Sequence, residues 1–152
     1  MNPKKSIIGI IAALVLLTAV FTVIHLTTRS RVPEGSLVIN YNGKVCYVEI
    51  DSKDLTEVRG TVVNGKGEEK EVHEQGIAVS DVLRAAGIDL TAISGVTVTA
   101  DDEFSAELSA DEVNEDGKAY LTDDGEALTL IVFGDPNSKR RVHNVVSLTV
   151  SR

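Results

Sequence analysis

From Ser6 to Thr28 the chain carries no Asp, Glu, Lys or Arg, and Ile, Leu, Val, Ala and Phe dominate from Ile7 to Leu26. At about 1.5 Å of helical rise per residue the run is roughly 34 Å long, enough to cross a hydrocarbon core of about 30 Å. Residues 6–28 are therefore expected to form a transmembrane helix, after a short basic tail at 1–5. A cleaved secretory signal would share Lys4 and Lys5, but its apolar core is usually about 7–15 residues long and ends in small residues. His25-Leu26-Thr27-Thr28 offers no such end. A lipoprotein would need a cysteine directly after the run, whereas the only one in the sequence is Cys46. Lys4 and Lys5 face Arg29 and Arg31 across the span, so the charge bias that orients such anchors is nearly balanced. A leading anchor with a short basic tail normally translocates the chain beyond it, which puts the domain on the extracytoplasmic side of the cell membrane.

The charge distribution separates the two parts further. The whole chain has a net charge of −8, but residues 1–31 hold four basic residues and no acid, leaving −12 for the rest. Such an acidic domain is not built for nucleic acid. Nor does it suit broad docking on anionic lipid, so the expected membrane contact is through the helix alone. One cysteine excludes an intramolecular disulfide and any CxxC site, so burial must hold the domain together.

Arg29 to Ser36, with Pro33-Glu34-Gly35, reads as a linker, and the domain is expected over residues 37–152. Leu37–Tyr41 and Lys44–Ile50 are β-branched and aromatic runs separated by Asn42-Gly43, the pair that suits a type I′ hairpin. A second hairpin is expected from Val58–Val63 to Glu69–Val72 across Asn64-Gly65-Lys66-Gly67. Ser80–Ala86 reads as a short helix, with Ser80 as N-cap and Gly87 closing it. Gly95–Thr99 and Phe104–Leu108 form a third expected hairpin, followed by a helical turn capped by Ser109. Further strands are expected at Ala119–Leu121, Leu128–Phe133 and Val145–Val150. The class is α+β with strands predominant.

Several phrases in this order resemble the molybdopterin-binding domain of the sulfite-oxidase-like oxidoreductases, in a shortened form covering roughly residues 58–150. They are Gly76-Ile-Ala-Val-Ser-Asp-Val-Leu-Arg-Ala-Ala-Gly87, Val96-Thr-Val-Thr-Ala-Asp-Asp-Glu-Phe-Ser105, and Leu130-Ile-Val-Phe-Gly134 followed by Lys139-Arg-Arg-Val-His-Asn-Val145. The resemblance implies a β-rich mixed domain of that fold and, in its enzymes, a pterin-bound molybdenum ligated by a cysteine thiolate after the early Thr-Val strand. The matching stretch here is Gly60-Thr-Val-Val-Asn-Gly65, where Asn64 stands near the thiolate's place. A neutral amide does not replace a thiolate. Cys46 belongs to the preceding hairpin and reads as a packed thiol.

Lys139, Arg140 and Arg141 form the one basic cluster able to hold a pterin phosphate or another anion, with His143 beside them. Their plainer reading is a solvated approach to the last strand. Glu112, Asn114, Asp116, Gly117 and Asp123 fall at spacings of a calcium loop, but the first and last positions carry the wrong acids and a strand follows. No metal site is expected there. His73 and His143 are the domain's only imidazoles, and neither lies in a nucleophile motif. No catalytic residue is assigned. The leading expectation is a membrane-anchored domain that binds a cell-envelope protein or a small anionic ligand without catalysis and without a cofactor. The alternatives are an active molybdopterin-dependent oxidoreductase subunit and a structural cell-surface module.

Overall fold

A computed structural model describes residues 14–20, 35–136 and 138–152. The chain divides after Val32 into two units. In the first, residues 14–20 are helical and Leu14, Val15, Leu16, Leu17 and Val20 are exposed. The expected 6–28 span otherwise lies outside the described residues, as do the 1–5 tail and the linker before Gly35. Among the described residues no helix is long and apolar enough to cross a membrane.

Among its described residues the second unit has nine strands in two sheets and two short α-helices, which makes it a strand-rich α+β domain. Strands β1 (Ser36–Tyr41) and β2 (Lys44–Glu49) form the first hairpin. Asn42 and Gly43 have φ angles of 52° and 72°, the left-handed pair that a two-residue turn between twisted strands requires. Strands β3 (Thr56–Val63) and β4 (Glu69–Ala78) form the second. Helix α1 (Val79–Ala85) follows directly, then β5 (Gly95–Ala100) and β6 (Ser105–Ser109). Helix α2 (Ala110–Asn114), β7 (Ala119–Asp123), β8 (Leu128–Val132) and β9 (Val145–Ser151) complete the order.

One sheet runs β2-β1-β9-β5-β6 and the other β3-β4-β7-β8. Every pairing is antiparallel except β1 with β9, which is parallel, with Ile39 opposite Leu148. The core draws on both sheets and on α1: Leu37, Ile39, Val82, Leu83, Val98, Leu121, Leu130 and Leu148 are at most 1 % exposed. Alternation does the sorting. In β5, Val96, Val98 and Ala100 point inward while Gly95, Thr97 and Thr99 stay half-buried. Strand β8 departs from it, with Thr129 to Val132 all buried, which is how a strand covered on both faces reads.

The helix α1 has its N-cap two residues earlier than the sequence predicts. Ala78 takes the N-cap position with no side-chain bond, and Ser80 falls inside the first turn. Its other end matches the expectation in detail: the Gly87 N–H donates to the Arg84 carbonyl at 2.9 Å and the Ile88 N–H to Leu83 at 3.0 Å. These two bonds are the Schellman pair, and the buried Leu83 and Ile88 supply its apolar contact. At α2 the Ser109 hydroxyl accepts from the Glu112 N–H while the Glu112 carboxylate accepts from the Ser109 N–H, a complete capping box.

Candidate functional site

The segment after β8 positions the basic cluster. A single 3-10 turn, Ser138–Arg140, turns the chain back, and the Leu130 N–H donates to the Val142 carbonyl at 2.8 Å, so this return covers part of the free edge of β8. Consecutive side chains along it leave in different directions.

Arg140 enters a knot of carboxylates. Its Nε donates to Asp135 Oδ2 at 2.9 Å and its Nη2 to Asp135 Oδ1. Nη1 and Nη2 reach Glu112 Oε2 and Oε1 at 2.9 and 2.7 Å, and Nη1 also donates to the Glu107 carbonyl at 3.2 Å. A guanidinium has five N–H donors, so all five are engaged. Such bidentate pairs are the strong form of the bond. The Arg140 guanidinium accordingly holds the Glu112 carboxyl down at about 2, and the two carboxylates push Arg140 itself upward. Glu112 thus closes the capping box and the ion pair with one side chain.

Arg141 lies in a different setting. It lines a cleft of about 140 Å³ together with Val62, Val63 and Asn64 from the end of β3, Lys70 from β4, Ile131 and Val132 from β8, and Asp135 and Ser138. The floor is apolar, and the polar groups stand around it. Arg141 Nε is buried and meets no acceptor, while its Nη2 is 3.9 Å from Glu74 Oε1. Strands β3 and β8 are the two outer strands of their sheet, so the cleft lies where those edges face each other. Nearby, the ring of Phe133 lies over Gly60, where a Cβ would come within 2.5 Å of it, and meets Tyr120 edge-on at 5.9 Å. Only a glycine lets β3 pass beneath that ring.

Asn64, the residue in the expected thiolate's place, also reaches this cleft, but its amide is committed to the β3–β4 turn. Its Oδ1 accepts from the Lys66 and Glu68 N–H groups at 2.9 and 3.0 Å, and its Nδ2 donates to the Glu68 carboxylate at 2.9 Å. The structure therefore brings Asn64 and Arg141 together, turns Arg140 away from them, and leaves Lys139 in the 3-10 turn outside the cleft lining. His143 Nδ1 stands 3.4 Å from Thr129 Oγ1, and His73 contacts Glu57 and Arg59 on the β3–β4 ribbon, so neither imidazole joins the cleft. Cys46 is half-buried on β2 against the margin of the core.

The calcium-loop spacing resolves into separate jobs. Glu112 faces Arg140, the Asn114 amide donates to the Ala110 and Leu90 carbonyls, and Asp123 accepts from the Gly125 N–H in the β7–β8 turn. Among the described residues no three His, Cys, Asp or Glu side chains gather as a metal group would require.

A pterin-bound molybdenum does not suit this cleft. The β3–β4 turn presents a committed amide where a thiolate is needed, Arg140 has no donor left for a phosphate, and about 140 Å³ is close to a benzene-sized cavity. Sites for larger organic ligands run to about 300–1,000 Å³. What the cleft can take is one apolar group of side-chain size with an acceptor placed for Arg141. Sequence reasoning missed Lys70 and the valine floor, although the unbroken apolar run Leu130-Ile131-Val132-Phe133 was the signal that both faces of β8 are covered. In comparisons with known proteins, no family model and no curated protein matches this chain.

Proposed function

We propose that this chain is a membrane-tethered, extracytoplasmic binding domain, a sulfite-oxidase-like scaffold without molybdenum chemistry, whose cleft at Asn64 and Arg141 receives a carboxylate-bearing group of side-chain size. The observation that carries this reading is Arg141, which lines the apolar floor and whose buried Nε has no acceptor among the described residues. Leaving such a donor unsatisfied costs about 1–3 kcal/mol, and a ligand that supplies the acceptor recovers it. Lys70 adds a second positive group to the rim. The phrases shared with the sulfite-oxidase-like family support the scaffold, and the committed Asn64 amide supports the absence of its redox centre. The uncharged run from Ser6 to Thr28 supports the tether, as does the exposed apolar surface of residues 14–20.

The test uses the full chain in a mild detergent, purified from a molybdenum-replete host. Elemental analysis and pterin fluorescence are expected to show neither molybdenum nor pterin; stoichiometric amounts of both would overturn the proposal. NMR titration with isobutyrate is expected to shift the amides of Val62, Val63 and Ile131, with isobutanol inert and Arg141→Gln unresponsive. Equal response to the alcohol would remove the carboxylate from the reading. Protease added to intact spheroplasts should digest the domain, and protection would reverse the orientation.

A further inference from the structure

A second cleft, of about 260 Å³, lies at the other end of the β3–β4 ribbon, where Thr56 begins β3 and Ile77 and Ala78 end β4. Its chemistry is the reverse of the first. Asp54, Asp81, Glu115 and Asp116 line it, and all four are exposed, so the carboxylates stand at its mouth. Arg84 is the only basic residue of the lining, and its Nη1 donates to Asp81 Oδ1 at 2.7 Å. One carboxylate is thereby balanced, and the other three leave the mouth negative.

Deeper in the cleft is Ser80. It is 9 % exposed and lines the cleft, and its hydroxyl has no side-chain hydrogen bond to the described residues. The early start of α1 is the cause. With Ala78 at the N-cap, the serine that the sequence offers as a cap is carried into the first turn, where its hydroxyl caps no backbone N–H. A hydroxyl on a residue nine-tenths buried, in a cleft rimmed by carboxylates and open to solvent, offers an oxygen to an incoming donor. Val113 and Ala119 are buried beside it, and the half-buried Tyr120 supplies a ring held edge-on by Phe133.

We propose that this cleft binds a primary alkylammonium of lysine-side-chain length. The ammonium has three donors and no acceptor, which suits the Ser80 oxygen together with the Glu115 and Asp116 carboxylates. Its methylene stem fits the apolar wall, and an aromatic ring beside a cation adds attraction. A bare divalent ion is the weaker fit, because the carboxylates do not converge into a metal group. The source of the ammonium is either a lysine of a partner protein or a free diamine, and the proposal does not depend on the Arg141 cleft.

The experiment is calorimetric and NMR titration of the full chain in a mild non-ionic detergent at about physiological salt. The probes are 1,4-diaminobutane and N-acetyl-lysine amide, with 1,4-butanediol and calcium chloride as controls. Both amines are expected to bind saturably, shifting the amides of Ser80, Glu115 and Tyr120, with the diol and calcium at least tenfold weaker. Ser80→Ala is expected to weaken amine binding at least fivefold, and the double variant Glu115→Gln, Asp116→Asn at least tenfold. The ratio of the two amine affinities tells the sources apart, since a site for a partner's lysine favours the capped lysine. Calcium binding as tightly as the diamine, unchanged affinity in Ser80→Ala, or no saturable amine binding each overturns the proposal.

Discussion

Arg140 and Arg141 are neighbours in the chain and opposites in their surroundings. The first has every donor matched by Asp135, Glu112 and the Glu107 carbonyl; the second has a buried Nε with nothing to bond. The difference shows how one basic run can be divided between holding a fold and serving a ligand. A saturated guanidinium stabilises and is closed to anything new, whereas an unsaturated one weakens the fold slightly and stays available.

Substitution should separate the two by several kilocalories. Arg140→Ala leaves Asp135, whose side chain is only 11 % exposed, and Glu112 without their partner. Loss of about 3–5 kcal/mol is expected in chemical denaturation, the usual cost of stranding partly buried charge. The next effect is acid sensitivity. Glu112 titrates at about 2 in the fold against an ordinary 4.5, so the unfolded chain takes up its proton first as pH falls. The stability it contributes is complete above about pH 4.5 and drains away towards pH 2. Glu112→Gln should remove about 2 kcal/mol at neutral pH, after allowance for screening, and flatten that limb of the stability profile. Smaller again is Asn64→Ala, which deprives the Lys66 and Glu68 N–H groups of their acceptor in the turn and should cost about 1 kcal/mol in the same measurement. Least of all, Arg141→Ala should change stability by about 0.5 kcal/mol or less while abolishing the isobutyrate response. If Arg141→Ala cost as much as Arg140→Ala, the contrast between the two would collapse.

Local chemistry made most of the fold readable. The Asn42-Gly43 turn, the Asn64–Gly67 turn, the Gly87 helix end and the Ser109 cap all stand where short-range rules place them. Each is settled by the φ preferences or side-chain oxygens of four or five adjacent residues. The start of α1 escaped because β4 runs straight into the helix. Ser80 is a good cap by type, yet burying Val79 at 0 % exposure beside Val82 and Leu83 drew the N-cap back by two residues. Packing outweighed a cap worth about 1 kcal/mol. The Arg140 knot was out of reach for another reason. Its partners Glu107 and Glu112 lie 33 and 28 residues earlier, and in an acid-rich chain no local pattern marks which carboxylates an arginine will meet. The two clefts are likewise products of strands that come together only in space.

The parallel pairing of β1 with β9 has a consequence for biosynthesis. The last of the nine strands in chain order occupies the middle of the five-stranded sheet, with β1 on one side and β5 on the other. Until it is in place, β1 and β5 each present an unpaired edge, so that sheet cannot be completed early. Joining strands that begin at Ser36 and Val145 also closes a loop of nearly the whole domain, which makes for slow, late acquisition of structure.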